Sequence, residues 1–581
     1  MALNAHMGPY SLRVQIGTFN YNLRGSSQYD TPDLQPWLIP TVEEDPDSGY
    51  STTGGPRDAP DIFAVGFQEL MPLHMGFLGT GSLFSTGNSS SSDEEGGGAA
   101  GQVLRDTDTE IRRAVRPHSA VVSGDGLYPP GGGPEGYTLI ARENLVGLAL
   151  FVYARERSGI VGRVREVRTN RAGTGIFNLL GNKGAVGVRV VLEGSPNVQG
   201  TGKKDAEQVL TFVCAHLAAH DHNIARRNTD WKNIVRRLVF PPDSVVPLPS
   251  LQQNISSERE KPGPVDLDKL KSQYSEKGGS KSKSRPARPL DDREHTLYDS
   301  SHLFVFGDLN YRIAVGIPPH PALASSSAGS KSTAPLKKSD VAFKVVMEEW
   351  ETLAAYDQLS TERLGGRVFH GLTESPLGGA KFGPTYKYKV DKSNKKAQGG
   401  KRKSSNSTGA GAARKPKSTL ADVGMLSKKR IPGWTDRVLW RSWADGKDEL
   451  QPKSAGNVDV ELYRSIMTYT HSDHKPVTAL LRLPALPMNG DSSSSSAPLI
   501  VYKPPYMTDA SWRTKRALGT LLDRQVGFIW TALITAGAGN LVAGLLELAV
   551  VAVVSIWWMQ RGSGQGGNDL AYWMGRLGGS P

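Results

Sequence analysis

HLFVFGDLNYRI, residues 302–313, carries an apolar run, His302 to Phe306, straight into Gly307, Asp308, Leu309 and Asn310. A run this short and this apolar, closed by glycine, reads as a strand buried on both faces. Its end delivers an acid and an amide together, although an isolated Gly-Asp-Leu-Asn could be no more than a strand followed by an Asx turn. The same design recurs upstream. Asp61 to Phe67 (DIFAVGF) is a second apolar strand that meets Gln68 and Glu69, and Ser11 to Asn22 (SLRVQIGTFNYN) alternates apolar and polar residues before Asn20 and Asn22.

Working outward, strands are expected at Leu145 to Tyr153, Gly184 to Leu192, Gln208 to Ala215, Arg437 to Trp440 and Lys475 to Leu483. Helices are expected at Asp221 to Val239 and Ser339 to Trp350, and the alternation is that of an α/β fold. Polar residues gather at the strand ends: Asn182 and Lys183; His216 and His220; Tyr311 and Arg312; Asp436 and Arg437; Asp473, His474 and Lys475. Carboxylates, amides, imidazoles and cations at neighbouring strand ends form a site for a hard metal ion and a phosphate. A zinc pair of His216 and His220 is disfavoured, because no cysteine cluster accompanies it and Leu217 reads as a strand exit.

Between these elements lie Ser/Gly/Pro-rich pieces at 46–60, 84–101, 254–294, 324–338, 391–427 and 487–498, too polar for a core and expected to be disordered surface insertions or linkers. Residues 10–484 then form one interrupted domain, followed by a linker at 485–524, a membrane segment at 525–560 and a tail at 561–581. The net charge of +12 is local: Lys392 to Arg430 holds 12 basic residues and one acid, Asp422. Such a run is either a solvated loop or an attraction to an anionic surface, and it contains no aromatic residue with which to stack bases. Cys214 is the single cysteine, so an intramolecular disulfide is excluded. No arginine follows it until Arg226, which rules out the closed loop of a cysteinyl phosphatase.

The C-terminal region is of another kind. Val526 to Met559 has Glu547 as its only charged residue. One straight helix of this length would run about 50 Å, against roughly 30 Å of hydrocarbon. A break at Gly537-Ala538-Gly539-Asn540 is therefore expected, with Leu541 to Trp558 as a span and Val526 to Ala536 as an interfacial or re-entrant piece, or the two as a hairpin. A buried core hairpin is the alternative. Arg513, Lys515, Arg516 and Arg524 precede the segment and Arg561 and Arg576 follow it, which places the large domain on the cytoplasmic face of a membrane, with the endoplasmic reticulum as the candidate. Met1 to Tyr10 has no apolar stretch of the secretory type.

Taken in order, VGFQEL at 65–70, GNKGAV at 181–186, AHLAAH at 215–220 with Arg227-Asn228, FGDLNYRI at 306–313, PTYKY at 384–388, IPGWTDRVLW at 431–440 and SDHKPV at 472–477 closely resemble the signature blocks of the inositol polyphosphate 5-phosphatases. That family belongs to the deoxyribonuclease I-like endonuclease/exonuclease/phosphatase superfamily. The resemblance spans almost all of 10–484, and WTDR and SDHKP are its most specific parts. It departs at Thr435, where the block usually has cysteine, and at Gly433, where alanine or serine is common.

The resemblance implies a four-layer sandwich of two packed mixed β-sheets flanked by helices. It implies a Mg²⁺-dependent phosphoric monoester hydrolase in which Glu69, Asn20 and Asp473 attend the metal. Asp308 orients and deprotonates the attacking water, Asn310 donates to developing charge, His474 contacts the phosphate with Asp436 fixing its tautomer, and His216 adds a further contact. Asn182, Lys183, Tyr311, Arg312, Tyr386, Lys387 and Arg437 are the implied substrate-binding residues. With a membrane tether the expected substrate is a phosphoinositide headgroup, first of all phosphatidylinositol 4,5-bisphosphate, the +11 run helping to hold an anionic leaflet. No nucleic-acid partner is expected. A nuclease of the same superfamily, or a catalytically idle lipid-binding adaptor, are the competing readings.

Overall fold

The structure is a computed structural model, and it describes residues 11–22, 33–39, 59–79, 98–115, 136–156, 158–194, 206–246, 291–326, 334–377, 382–390, 426–427, 430–446, 457–486, 497–502 and 504–537, with scattered residues from 542 to 556. Two sheets carry the fold. In the six-stranded sheet the order is β10 (Asp459–Ser465), β11 (Val477–Arg482), β1 (Arg13–Asn20), β2 (Ile62–Gln68), β4 (Leu148–Arg155) and β3 (Tyr137–Leu145). The five-stranded sheet runs β5 (Val164–Gly173), β6 (Gly184–Leu192), β7 (Gln208–His216), β8 (His302–Asp308) and β9 (Asp436–Ser442). Both are mixed, since β1 pairs with β2 and β7 with β8 in parallel while the other neighbours are antiparallel.

The apolar runs of the sequence have their cause here. Ile62 and Ala64 on one face of β2, with Val188, Phe212, Phe304, Val438 and Trp440 from the other sheet, fill the space between the two sheets. Phe63, Val65 and Phe67 point outward, into a layer shared with the Ala99–Val115 helix. Val213, Val305 and Leu439 meet Trp231 and Ile234 of the Ile224–Arg237 helix on the opposite outer face. Each central strand is thus covered on both sides, as the four-layer expectation requires.

Three strands were not expected. β5 hid behind its charges: Arg168 and Glu166, both buried, pair with each other at 2.7 Å, which removes the cost that would keep either alone out of a core. β3 and β10 lie at the sheet's two edges. The Ala99–Val115 helix also begins inside the piece read as the 84–101 insertion.

The largest departure is at the C-terminal side. Trp512–Ala536 is one helix of 25 residues, so residues 512–524 do not act as a linker. It carries Arg513, Lys515, Arg516, Asp523 and Arg524 and packs against the Leu73–Leu78 helix and β5. Among the described residues no helix is long and apolar enough to cross a membrane. Most of the basic run at 392–430 and parts of the expected span at Leu541–Trp558 lie outside the described residues.

Candidate active site

Strand register assembles the site. Across one sheet Gly184 stands opposite His216, His216 opposite Asp308, and Asp308 opposite Asp436, which makes a row of functional side chains at one edge. In the facing sheet Asn20 stands opposite Gln68, with Glu69 next in the chain. The backbone turns sharply as it leaves these strands: Glu69 (φ 51°) and Asn310 (φ 60°) are left-handed, a conformation costing about 1–3 kcal/mol that persists where the surroundings enforce it. Gly307 (φ 138°) is required, because a Cβ there would lie 1.9 Å from the Ala215 carbonyl oxygen.

Asp308 is the centre. Its Oδ2 accepts from Asn20 Nδ2 at 2.9 Å and its Oδ1 from the Asn310 backbone N–H at 3.1 Å. His216 Nε2 lies 3.3 Å and His474 Nε2 3.9 Å from Oδ2. Burial alone would raise the carboxyl pKa, but His474, His216 and Lys183 outweigh it and hold Asp308 below the usual carboxylate range. Burial and the adjacent Lys183 ammonium, which touches its ring, lower His216, against the pull of Asp308 and Glu69.

His474 is the opposite case. Burial disfavours its charge, yet Asp436 and Asp308 overcome burial and push it up to about 9. Its Nδ1 is 2.9 Å from Asp436 Oδ2, the same oxygen that accepts hydroxyl donors from Thr385 (2.7 Å) and Thr435 (2.9 Å). Burial and the Asp308 charge pull Asp436 toward keeping the shared proton. Two hydroxyls donating to Oδ2 favour the carboxylate, so the proton belongs on His474. Thr435, the departure from the family block, therefore helps to hold Asp436 ionised. The Tyr386 ring packs on the His474 imidazole, centroids 4.6 Å apart.

Asn20, Glu69, Asn182, Lys183, His216, Asp308, Asn310, Arg312, Tyr386, Lys387, Asp473 and His474 line a single cavity of about 550 Å³. Asp436 stands behind it, through His474. Arg312 stacks 4.5 Å over the Tyr386 ring and donates to Asn310 Oδ1 at 2.8 Å, and Lys387 pairs with Asp473. One amide hydrogen of Asn310 is committed to the Leu217 carbonyl at 3.1 Å.

Two expected substrate contacts lie elsewhere. Arg437 is fully buried, bonded to both oxygens of Glu374 (2.5 and 2.7 Å) and to Asp357 (3.0 and 3.2 Å). Tyr311 is also buried, its hydroxyl donating to Asn228 Oδ1 at 2.7 Å under the Arg227 guanidinium. The cavity adds residues not singled out before, among them Thr174, Arg226, Asp230 and Arg430. Arg226 pairs with Asp230 at 3.0 Å, and Arg430 closes the basic run just before the IPGWTDR block, which was the available signal.

The donor set suits a hard divalent cation. Glu69, Asp473 and Asn20 offer carboxylate and amide oxygens to the same cavity. A thiol ligand is out of reach, because burial pushes Cys214 up to about 12 and its sulfur accepts from Gln68 in the core. Among the described residues Asp308, Asp436 and His474 bring ligand atoms within 4.8 Å of one another, but their hydrogen bonding makes them a proton-holding group. His216 faces Asp308 while His220 stacks on His222, an arrangement unlike a zinc pair.

A family model for the endonuclease/exonuclease/phosphatase family 2 matches residues 17–480. The chain is 25% identical to type I inositol polyphosphate 5-phosphatase 8 of Arabidopsis thaliana over 478 residues, covering 81% of this chain and 70% of that protein. It is 24% identical to synaptojanin-1 of Rattus norvegicus over 494 residues, 81% of this chain but only 21% of that much longer protein. Among solved structures, the inositol polyphosphate 5-phosphatase domain of SPsynaptojanin in complex with inositol (1,4)-bisphosphate and calcium ion is 19% identical, with a TM-score of 0.45, covering 89% of this chain and 91% of that one. The matched span begins in β1 and ends in β11, taking in every strand-end residue of the cavity. This chain belongs to the endonuclease/exonuclease/phosphatase family 2.

Proposed function

We propose that this protein is a divalent-cation-dependent phosphatase that removes the 5-phosphate from phosphoinositides, with phosphatidylinositol 4,5-bisphosphate as its substrate and Mg²⁺ as its ion. The observation that carries this reading is the single cavity in which Asp308 and protonated His474 face Lys183, Arg312 and Lys387. The names of the relatives, inositol polyphosphate 5-phosphatases and synaptojanins, support the same chemistry. A cation held by Glu69, with Asn20 and Asp473 beside it, would polarise the scissile phosphate and neutralise its charge.

The rest falls to the chain's own residues. Asp308, held ionised and hence weakly basic, acts mainly by orienting the attacking water and takes its proton only as the new oxygen–phosphorus bond forms and the bond from phosphorus to the inositol 5-oxygen breaks, that leaving oxygen taking a proton from solvent. A loose phosphoryl-transfer transition state tolerates a weak base. Cationic His474 donates to a phosphate oxygen as charge builds there, with Asp436 fixing the ring. Lys183, Arg312 and Lys387 hold the remaining phosphates, Arg312 through a planar fork and the lysines as point charges. Attachment to the cytoplasmic face of an internal membrane, through the apolar stretch at 526–559 and the basic run at 392–430, completes the proposal.

A pH dependence follows from His474. Its pKa is raised from 6.5 to about 9, so its ion pair contributes stability fully present below about 6.5 and lost as pH rises through 9. If the cation is the working form, kcat falls on the alkaline side with a midpoint near 9. Asp436→Asn removes the first charge that raises it and should carry that limb at least one pH unit toward neutrality. Initial rates across a buffer series measure this, and an unmoved limb would assign the proton to another group.

Phosphate release from vesicles containing phosphatidylinositol 4,5-bisphosphate, from soluble inositol 1,4,5-trisphosphate and from a panel of other inositol lipids tests the whole reading, beside nicking of plasmid DNA. Chelation by EDTA is expected to abolish turnover and excess Mg²⁺ to restore it. Nicking without phosphate release would make the protein a nuclease, and lipid binding without turnover an adaptor.

A further inference from the structure

The Leu179–Lys183 loop meets the C-terminal helix at three successive residues before it enters the cavity. Leu179 presents its carbonyl oxygen to Gly519, where a Cβ would come within 2.7 Å. Leu180 is buried in an apolar cluster with Phe77 and Val146, against which Leu522, Val526 and Trp530 pack. Gly181 donates its N–H to Asp523 Oδ1 at 2.8 Å, and a Cβ on Gly181 would lie 2.8 Å from Asp523 Oδ2. Gly527 repeats the close approach one turn on, where a Cβ would lie 2.6 Å from the Leu78 backbone nitrogen. Residues 519, 523 and 527 are spaced by four, so they share one face of the helix.

The next two loop residues, Asn182 and Lys183, line the cavity, and Lys183 touches His216, which lies 3.3 Å from Asp308. From inside, the loop is tied by Thr174 N–H to the Lys183 carbonyl and Gly175 N–H to the Leu180 carbonyl, both at 2.8 Å. From outside, the helix closes it.

We infer that Asp523, on a helix lying beyond the matched family span, is a positioning residue that holds the Leu179–Lys183 loop so that Asn182 and Lys183 stand at the phosphate side of the cavity. This deepens the proposed phosphatase reading and rests on it. Asp523 is 6% exposed, and burial pushes its carboxyl up to about 6, against which the Gly181 N–H and the Arg171 charge act. Its removal would strand a buried backbone donor, which is the expensive way to lose a hydrogen bond. The consequence is that the C-terminal region does more than tether: its docked helix shapes the site from 342 residues away in sequence.

The test uses the full chain, hydrogen exchange of the 176–184 segment, and kinetics on soluble inositol 1,4,5-trisphosphate, so that membrane binding does not enter. In Asp523→Ala, exchange at 179–183 should quicken about tenfold and KM rise about tenfold, with kcat changed by less than about threefold. Asp523→Asn keeps an acceptor oxygen and should bring both back near wild type. Should the alanine variant not fold, Gly527→Leu displaces the helix a turn away and is expected to quicken exchange at 179–183 with Asp523 intact. Wild-type exchange and KM in the alanine variant, wild-type exchange in the leucine variant, or an asparagine variant as damaged as the alanine one would overturn the assignment. Wild-type protein that releases no phosphate from any substrate would instead refute the phosphatase reading, while the exchange measurement still decides the coupling.

Discussion

Asp308→Asn is expected to lower kcat by about 10³-fold at saturating Mg²⁺ while leaving the fold in place. The carboxylate is faced at once by His216, His474 and Lys183, and it takes hydrogen bonds from Asn20 and the Asn310 backbone. An amide keeps the volume but loses the charge and turns an N–H₂ toward donors. The attacking water then loses its acceptor. His474 also loses one of the anions that raise it, so its protonated fraction near neutral pH should fall. Single-turnover rates, with circular dichroism to confirm folding, measure the effect. Turnover within tenfold of wild type would remove Asp308 from the reaction.

Arg437→Met should act on stability first. The guanidinium is fully buried among Asp357 and Glu374, whose charges outweigh burial and raise its pKa further. Glu374 also accepts from the Tyr463 hydroxyl at 3.0 Å, and Asp357 caps the Gln358–Leu364 helix through the Ser360 N–H. Removing the arginine takes from Asp357 and Glu374 the cation that both share, leaving Arg363 at 3.4 Å from Glu374, and breaking such a buried pair costs about 3–5 kcal/mol. A urea unfolding series is expected to show this loss, with KM of the surviving folded fraction close to wild type. A raised KM without loss of stability would restore Arg437 to the binding site.

The difference between Asp436 and Arg437 shows where local reading stops. They are neighbours in the WTDR block, and both were expected at the site. On a strand, successive side chains point to opposite faces. Asp436 thus shares the face of Val438 and Trp440, toward the space between the sheets and His474, while Arg437 shares that of Leu439, toward the outer helix layer. The period of two in β9 already contained that distinction. What it did not contain was Glu374 and Asp357, which come from 63 and 80 residues away to neutralise the arginine.

By itself the sequence determined the central strands, because strands covered on both faces read as mainly apolar runs, interrupted in β1 by the buried Gln15 and Thr18, and it determined which polar side chains stand at the strand ends. It also located the family blocks, whose order along the chain is independent of folding. Tertiary structure alone decided which of those side chains meet, since register across β6–β9 is a property of paired strands. It alone decided the place of the Trp512–Ala536 helix: the stretch between the Ser-rich piece at 487–498 and the apolar segment was expected to be a linker, whereas glycines spaced to admit a neighbouring backbone, and one carboxylate matched to a distant N–H, make it a docked element. Local patterns record how much of each residue is covered; which partner covers it is set only when the chain closes on itself.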